Sequence, residues 1–240
     1  MCNMKKTIII KISGESFKKG NNPVSEARLE DLSNQSKTLS KDYNSGIVTG
    51  GGNFMRGANN KSKLVKRYTS DQVGMLATVM NSLQLRDAIE AKGVKVTLYS
   101  LITMPQICKA WNVYNMRDDL IRKGKVVIFA GGTGNPYFTT DSGIALRALE
   151  SEAHYILMGK NGIDGVYTAD PKTNKKAKRL NKISYSNAIK KKLKFMDIAA
   201  MAFLDGTDTN VIVFDVNEPN CFVKAINKQI PFTLVNTKGK

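Results

Sequence analysis

Three stretches of this sequence place small residues, hydroxyls and cations directly after apolar runs, a combination suited to holding phosphate. The fullest is Gly131-Gly132-Thr133-Gly134-Asn135-Pro136-Tyr137-Phe138-Thr139-Thr140-Asp141, which follows the β-branched run 126–130 and precedes a helical pattern at 142–150. Glycines let the backbone approach an anion, and the free N–H groups of a helix start face it, aided by the helix dipole. Read alone, the stretch is equally an ordinary strand–turn–helix corner capped by threonine or aspartate. The second is Gly50-Gly51-Gly52-Asn53-Phe54-Met55-Arg56-Gly57, after the short run 47–49. Its glycines clear the turn of side chains and Arg56 adds a planar, permanent cation, although a surface hinge would look similar. The third runs from Gly159-Lys160-Asn161-Gly162 through Asp164-Gly165-Val166-Tyr167-Thr168-Ala169-Asp170-Pro171, with a hairpin signal and an Asp-Pro stop. Lys11 stands near the end of the first apolar run, just before Ser13-Gly14. It is either an edge-strand lysine or a cation aimed at a phosphate. Asp71, near the start of a long helical pattern, is either a partner for the helix dipole or a ligand for a sugar hydroxyl.

Corners of this kind at the ends of parallel strands share one edge of an open α/β sheet, where such sheets bind ligands. Together they offer more phosphate-holding capacity than one nucleotide uses. Two phosphorylated ligands facing each other would use it, and that is the layout of phosphoryl transfer, in which positioning and charge neutralisation do most of the work. An acceptor that is already an anionic phosphate requires no general base. The familiar nucleotide signatures are missing: there is no G-x-x-x-x-G-K-[ST], no G-x-G-x-x-G followed by an acidic residue about 20 positions on, and no protein-kinase lysine or catalytic-loop motif. His154 is the single histidine, and Cys2, Cys108 and Cys221 are far apart. That argues against a Cys/His zinc site, a disulfide framework and Ser-His-Asp or Cys-His chemistry. His154 reads as a surface residue between a helix and a strand.

The elements that must position these residues follow from periodicity. A strand is expected at 6–13, a helix at 25–43 closed by Asn44-Ser45-Gly46, and a strand at 47–49. The most regular helix spans 69–92, with Met75, Leu76, Val79, Met80, Leu83, Leu85 and Ile89 as its core face, stopped by Gly93. Strands follow at 94–98, 126–130, 154–158, 211–214 and 232–235. Shorter helices are expected at 118–122, 142–150, 184–192, 197–205 and 219–227, and a charged loop at 172–182. The segment around Pro105 and Trp111 reads as a helical excursion at an interface. Apolar strands alternating with helices predict a mostly parallel sheet covered on both faces. No tandem repeat, low-complexity linker or clean domain boundary interrupts the 240 residues.

The formal net charge is +17. Such a balance suits polyanions, but lysine is spread along the whole chain, and the tightest cluster, Lys190-Lys191-Lys192 with Lys194, reads as one solvated helix face. The apolar run behind the basic N-terminus is too short for a signal peptide or a membrane span, which predicts a cytoplasmic, reduced protein.

In order and spacing, Lys11-Ile12-Ser13-Gly14-Glu15, the glycine triplet with Asn53 to Gly57, Gly74-Met75-Leu76-Ala77-Thr78-Val79-Met80-Asn81, Thr133 to Asp141 and Asp164 to Pro171 resemble bacterial uridylate (UMP) kinases of the amino acid kinase fold. The resemblance runs from about residue 5 to the C-terminus. It implies an α/β three-layer αβα sandwich forming one domain, with residues 1–150 as a UMP-binding lobe and 151–240 as an ATP-binding lobe. It implies that Lys11, Ile12, Ser13, Gly14 and Gly52 cradle ATP phosphates, that Arg56 neutralises phosphate charge, and that Asn161, Tyr167 and Asp170 bound the adenosine. UMP would lie on Gly51, Asp71, Thr133, Gly134, Asn135, Pro136, Tyr137, Phe138, Thr139 and Thr140, with Asp71 at the ribose. Lys11, Asp141 and Arg56 would be catalytic, Asp141 orienting Lys11 and helping to place a Mg²⁺ that arrives with ATP; no metal site of the protein's own is assigned. Asp197, in Lys194-Phe195-Met196-Asp197, matches an acidic position near the adenosine. A cytoplasmic homohexamer inhibited by UTP is the implied assembly, whereas the loop 18–23 departs from the segment linked to GTP activation. Two other readings are a fold relative acting on a carboxylate or carbamate, and a basic nucleic-acid-binding regulator.

Overall fold

The computed structural model describes residues 5–55, 63–171 and 173–239. In the first strand, β1 (Lys6–Ile12), Ile8, Ile10 and Ile12 point to one side and Ile9 to the other, the period-two alternation of an extended chain. All four are buried, so both faces of the strand are covered. On the Ile8 side lie α1 (Glu26–Asp42), α2 (Arg67–Glu90) and α7 (Cys221–Ile226), contributing Leu32, Leu85 and Phe222 among others. On the Ile9 side lie α4 (Thr140–Glu150), α5 (Tyr185–Lys190) and α6 (Ile198–Leu204), through Ile144, Ala188 and Met201. A small helix α3 (Val113–Arg117) runs into a wider turn at Asp118–Arg122 on this same side. The architecture is the expected three-layer αβα sandwich.

The strands between the layers are β2 (Tyr43–Thr49), β3 (Val96–Ser100), β4 (Lys109–Ala110), β5 (Val126–Ala130), β6 (Tyr155–Lys160), β9 (Lys182–Ser184), β10 (Asn210–Asp215) and β11 (Thr233–Asn236). Their order is β4-β3-β5-β2-β1-β6-β10-β11-β9, and β10–β11 is the antiparallel junction among parallel neighbours. From β1 the chain builds the sheet outward through β2, β3 and the edge strand β4, and β5 then returns to fill the place between β2 and β3. Helix α4 then carries it back across β1 to β6. The crevice beyond the C-terminal ends of these central strands is a topological switch point, where open α/β sheets take ligands. A separate ribbon pairs β7 (Val166–Tyr167) with β8 (Arg179–Leu180).

Several expectations need correction. Residues 44–46 do not close α1; they belong to β2, which pairs with β1 from Tyr43 onward. Gly46 is required there because a Cβ would stand 2.5 Å from Ile9 Cδ1 and 2.9 Å from a Phe129 ring carbon. Lys11 is no edge residue, since β1 has β2 on one side and β6 on the other. The expected charged loop at 172–182 contains β8 and the first residue of β9. On α2, Leu76 and Met80 are each 48% exposed, whereas Ala77, Thr78, Asn81 and Ser82 are buried, so the helix turns a polar, small-residue face inward. The segment around Trp111 holds the short edge strand β4, not a helix, and Trp111 packs edge-on against Tyr99 and Phe129 with the Arg147 guanidinium 4.4 Å from its ring centre. His154 is exposed as expected, and its Nδ1 accepts the Thr7 backbone N–H at 3.2 Å.

Candidate active site

Lys11 shares its side of β1 with Ile9 and therefore points toward α4 and α6. Its ammonium donates to the carboxylate of Asp141, in the first turn of α4, and both side chains are only 13% exposed. Thr139 caps that helix, its hydroxyl oxygen accepting the Asp141 N–H at 3.1 Å. The same hydroxyl donates to the carboxylate of Asp197, which precedes α6. One threonine thus ties two helix starts together directly above the sheet. Burial works against charge on Asp141, yet the nearby Lys11 and Lys160 ammoniums and the Lys11 hydrogen bond hold its carboxyl below the usual carboxylate range. Lys160, the last residue of β6, has its pKa lowered by burial and by the neighbouring Lys11 charge, with Asp141 and Asp197 acting in the opposite sense.

The glycine corners after β1 and β2 lie against each other. A Cβ on Gly14 would be 2.3 Å from the Gly52 nitrogen and 2.7 Å from the Asn53 nitrogen, so only glycine allows this approach. Helix α2 supplies the anchors. Asn81 donates to the Gly50 carbonyl at 2.7 Å and to Asn53 Oδ1 at 2.8 Å, and Asn53 in turn donates to the Pro23 carbonyl at 2.7 Å. One turn earlier, the Thr78 hydroxyl accepts the Gly131 N–H at 2.7 Å. The inward face of α2 is polar because its work is to fix two corners, and buried polar groups persist only when paired. Asp71, also on α2, accepts from Arg67 Nε at 2.9 and 3.0 Å and from the Tyr137 N–H at 3.0 Å, clasping the loop that follows β5. Tyr137 is held at φ 69°, and the Arg67 guanidinium lies 5.7 Å from its ring centre.

These elements enclose a cleft of about 380 Å³. Of the residues expected on the donor side, Lys11, Ser13, Gly14 and Gly52 line it; of those expected on the acceptor side, Gly51, Asp71, Thr133, Asn135, Phe138, Thr139 and Thr140 do, and Asp141 lies between. Gly134, Pro136 and Tyr137 belong to the same loop without forming the wall. Ile12 is a core residue whose carbonyl already accepts the Gly50 N–H at 2.8 Å. Asn161 lines a second cavity of about 300 Å³ that meets the first at Ser13, and its Oδ1 accepts from Asn217 at 2.9 Å. Tyr167, on β7, donates its hydroxyl to Asp164 at 2.7 Å, and Asp170 lies in the turn beyond, so neither joins the main cleft. Arg56 lies outside the described residues.

Sequence reasoning passed over Arg67, quoted Thr78 and Asn81 only as members of the 74–81 motif without a role, and treated Lys160 only as part of a turn. Lys160 had a signal, since it ends the apolar run Ile156-Leu157-Met158-Gly159 much as Lys11 ends Ile8-Ile9-Ile10. Asp197, expected near the adenosine, lines the main cleft beside Asp141. Among the described residues no group of three or more His, Cys, Asp or Glu could hold a metal, and no helix is long and apolar enough to cross a membrane.

The chain is 41% identical to the uridylate kinase of Mycoplasma genitalium over 233 residues, covering 97% of this chain and 96% of that one. Its fold superposes on the crystal structure of UMP kinase from Ureaplasma parvum with a TM-score of 0.92 at 39% identity, covering 97% of this chain and 99% of the other. It superposes on that of UMP kinase from Bacillus anthracis with a TM-score of 0.88 at 31% identity, covering 98% and 97%. The profile of the amino acid kinase family matches residues 6–215. With its glycine corners, central lysine and αβα sandwich, this chain belongs to the amino acid kinase family.

Proposed function

We propose that the protein is a UMP kinase, transferring the γ-phosphoryl group of ATP to the 5′-phosphate of UMP to give ADP and UDP. The observation that carries this reading is the placement of Lys11 and Asp141 at the junction of the two halves of one cleft, between the β1–β2 glycine corners and the acceptor loop. A UMP phosphate oxygen attacks the γ-phosphorus as the bond to the β–γ bridging oxygen breaks, and ADP carries away the leaving electrons. The acceptor oxygen is already anionic, so no base is required. Catalysis then rests on holding the reacting groups in line and neutralising charge on the transferring group. Lys11 faces that charge and Asp141 fixes the direction of its ammonium. The backbone N–H groups around Gly14 and Gly52 suit the donor phosphates, and Asp71 and the Thr133–Thr140 loop suit the acceptor nucleoside. In this reading residues 1–150 carry chiefly the acceptor and 151–240 chiefly the donor, with Arg56, Asn161, Tyr167 and Asp170 on the ATP side.

Two carboxylates without a third fit Mg²⁺ that keeps its waters and arrives on phosphate, better than a cage of protein ligands. Asp141 and Asp197 would meet it, and the ion would supply neutralisation of the donor phosphates. Exposed Val73, Leu76 and Met80 form one row on α2, at i, i+3 and i+7, and support an association of copies, which we take to be a homohexamer. UTP shares the uracil and ribose of UMP, which makes it a natural inhibitor, and a cytoplasmic place in pyrimidine nucleotide biosynthesis follows from the reaction. No feature of the cleft favours a carboxylate or carbamate acceptor, and the positive charge that would suit nucleic acid is spread along the chain, with Lys190, Lys191, Lys192 and Lys194 simply exposed.

The test is release of ADP from ATP·Mg²⁺ with UMP, CMP or dUMP as acceptor. Turnover with UMP, and much less with dUMP, is expected. ADP release that does not depend on UMP would remove the reading.

A further inference from the structure

Lys11, which lines the cleft, is committed to Asp141, and Lys160 stands beside that pair behind the lining residues. In the parallel β1–β6 pair Lys11 is opposite Met158, so Lys160 stands two residues further toward the C-terminal ends and on the same side of the sheet. Both ammoniums therefore face the layer of α4 and α6, from which Asp141 and Asp197 approach. The difference lies in their partners. Lys11 has an ion pair, whereas the Lys160 ammonium has no hydrogen bond or ion pair among the described residues.

We infer that Lys160 is a second phosphate-binding cation of the reaction, holding the donor's terminal phosphates on the β6 side while Lys11 holds them on the β1 side. A part-buried cation that neighbouring carboxylates approach without a hydrogen bond is incompletely compensated, and it persists where an anionic ligand completes it. Its depressed pKa agrees with such a position. The surrounding charges are accounted for: Lys11 from β1, Asp141 from α4 and Asp197 from the start of α6 bear on it, while Asp215, its register partner on β10, accepts the Gly162 and Asn217 N–H groups. Lys160 thus shares the load of a triphosphate that Lys11, half-neutralised by Asp141, meets incompletely.

The inference rests on the UMP kinase reading for its acceptor but not for its donor, and the test separates the two. Lys160→Gln, Lys160→Arg and Lys160→Met are compared with the parent in steady-state turnover and in thermal unfolding with and without ATP·Mg²⁺. We expect Lys160→Gln to lower kcat by about 30-fold or more, as for other groups that meet transition-state charge. The KM for UMP should stay within about threefold of the parent, and Lys160→Arg should return to within about tenfold. Lys160→Met should melt no lower than the parent, while the rise in Tm produced by ATP·Mg²⁺ alone should shrink by at least half in Lys160→Gln. A Lys160→Gln enzyme with parental kcat and ATP shift overturns the inference. So does loss of activity in step with loss of Tm, which marks a merely structural lysine. If the parent itself fails to use UMP, the acceptor reading falls while the ATP shift still judges Lys160.

Discussion

Replacing Lys11 with methionine separates what the central ion pair does for stability from what it does for chemistry. The substitution keeps the length of the side chain in the strand and removes its charge. Asp141 then remains at 13% exposure without its hydrogen-bonded cation. Breaking a buried pair on one side costs about 3–5 kcal/mol, and the nearby Lys160 charge should trim this to about 2–3 kcal/mol. For a domain of this size that is a fall in Tm of about 5–10 °C. Losing a cation that meets the transferring group should lower kcat by about 100- to 1,000-fold. The double variant Lys11→Met/Asp141→Asn removes the orphaned charge, so it should recover most of the lost Tm and none of the lost kcat. The pH dependence has a definite sign. In the parent the Asp141 carboxyl titrates below its ordinary value, so its contribution to stability is complete above the unfolded carboxylate pKa and is lost as pH falls through the lower folded value. In Lys11→Met that lowering shrinks to what Lys160 and a backbone hydrogen bond supply against burial, and the acid-side loss specific to this group should shrink with it. Thermal melts from pH 3 to 7 and UMP-dependent ADP release read both effects. A single variant within tenfold of parental kcat, or a double variant no more stable than the single, would refute the assignment of Lys11 and Asp141 as a coupled pair at the reacting phosphate.

Other consequences can be checked alongside. Asp71→Asn leaves Arg67 and the Tyr137 N–H with a weaker acceptor, so the KM for UMP should rise by about tenfold, more than the KM for ATP; equal increases would misplace the acceptor nucleoside. Gly14→Ala drives a methyl group into the Gly52 backbone at 2.3 Å, and its stability should fall by about 1–3 kcal/mol with turnover almost abolished, measured by denaturant melts and assay. Asp119, 2% exposed, accepts from Tyr99, Lys109, Lys123 and Lys125 and lines neither cavity. Asp119→Ala should therefore lose about 3 kcal/mol of stability while kcat well below its melting temperature stays within about twofold. An equal loss of kcat would mean that the network reaches the site.

How much of this was visible in the residues varied with the physics involved. Strands buried on both faces announce themselves as unbroken apolar runs, and 126–130 and 6–12 needed no structure to be found. Much of the cleft lining was legible too, because glycines, hydroxyls and a strand-end lysine in successive corners converge on one sheet edge, whereas Tyr167 and Asp170 lie away from it. What could not be read was anything defined by contact across the chain. Gly46 looks like a helix stop until Ile9 and Phe129 are seen against it. Thr78 and Asn81 look like indifferent residues of an amphipathic helix, and only the positions of Gly131 and Gly50 explain why they are buried. Leu76 and Met80 counted as core by type, yet each is about half exposed on α2. The short strands β8 and β9 carry too little pattern to stand out from a lysine-rich stretch, and their pairing comes from the neighbours β7 and β11.

The contact between the corners after β1 and β2 limits how this enzyme can be altered. With the Gly14 and Gly52 backbones abutting, neither turn can be lengthened or re-angled while the other stays still. Loop grafting aimed at a new acceptor would have to begin elsewhere, in residues 133–138 after β5, which lie between the Thr78–Gly131 and Thr139–Asp197 anchors and meet Asp71 through the Tyr137 N–H. Nucleotide preference should be open to redesign there, whereas the grip on triphosphate should resist piecemeal change.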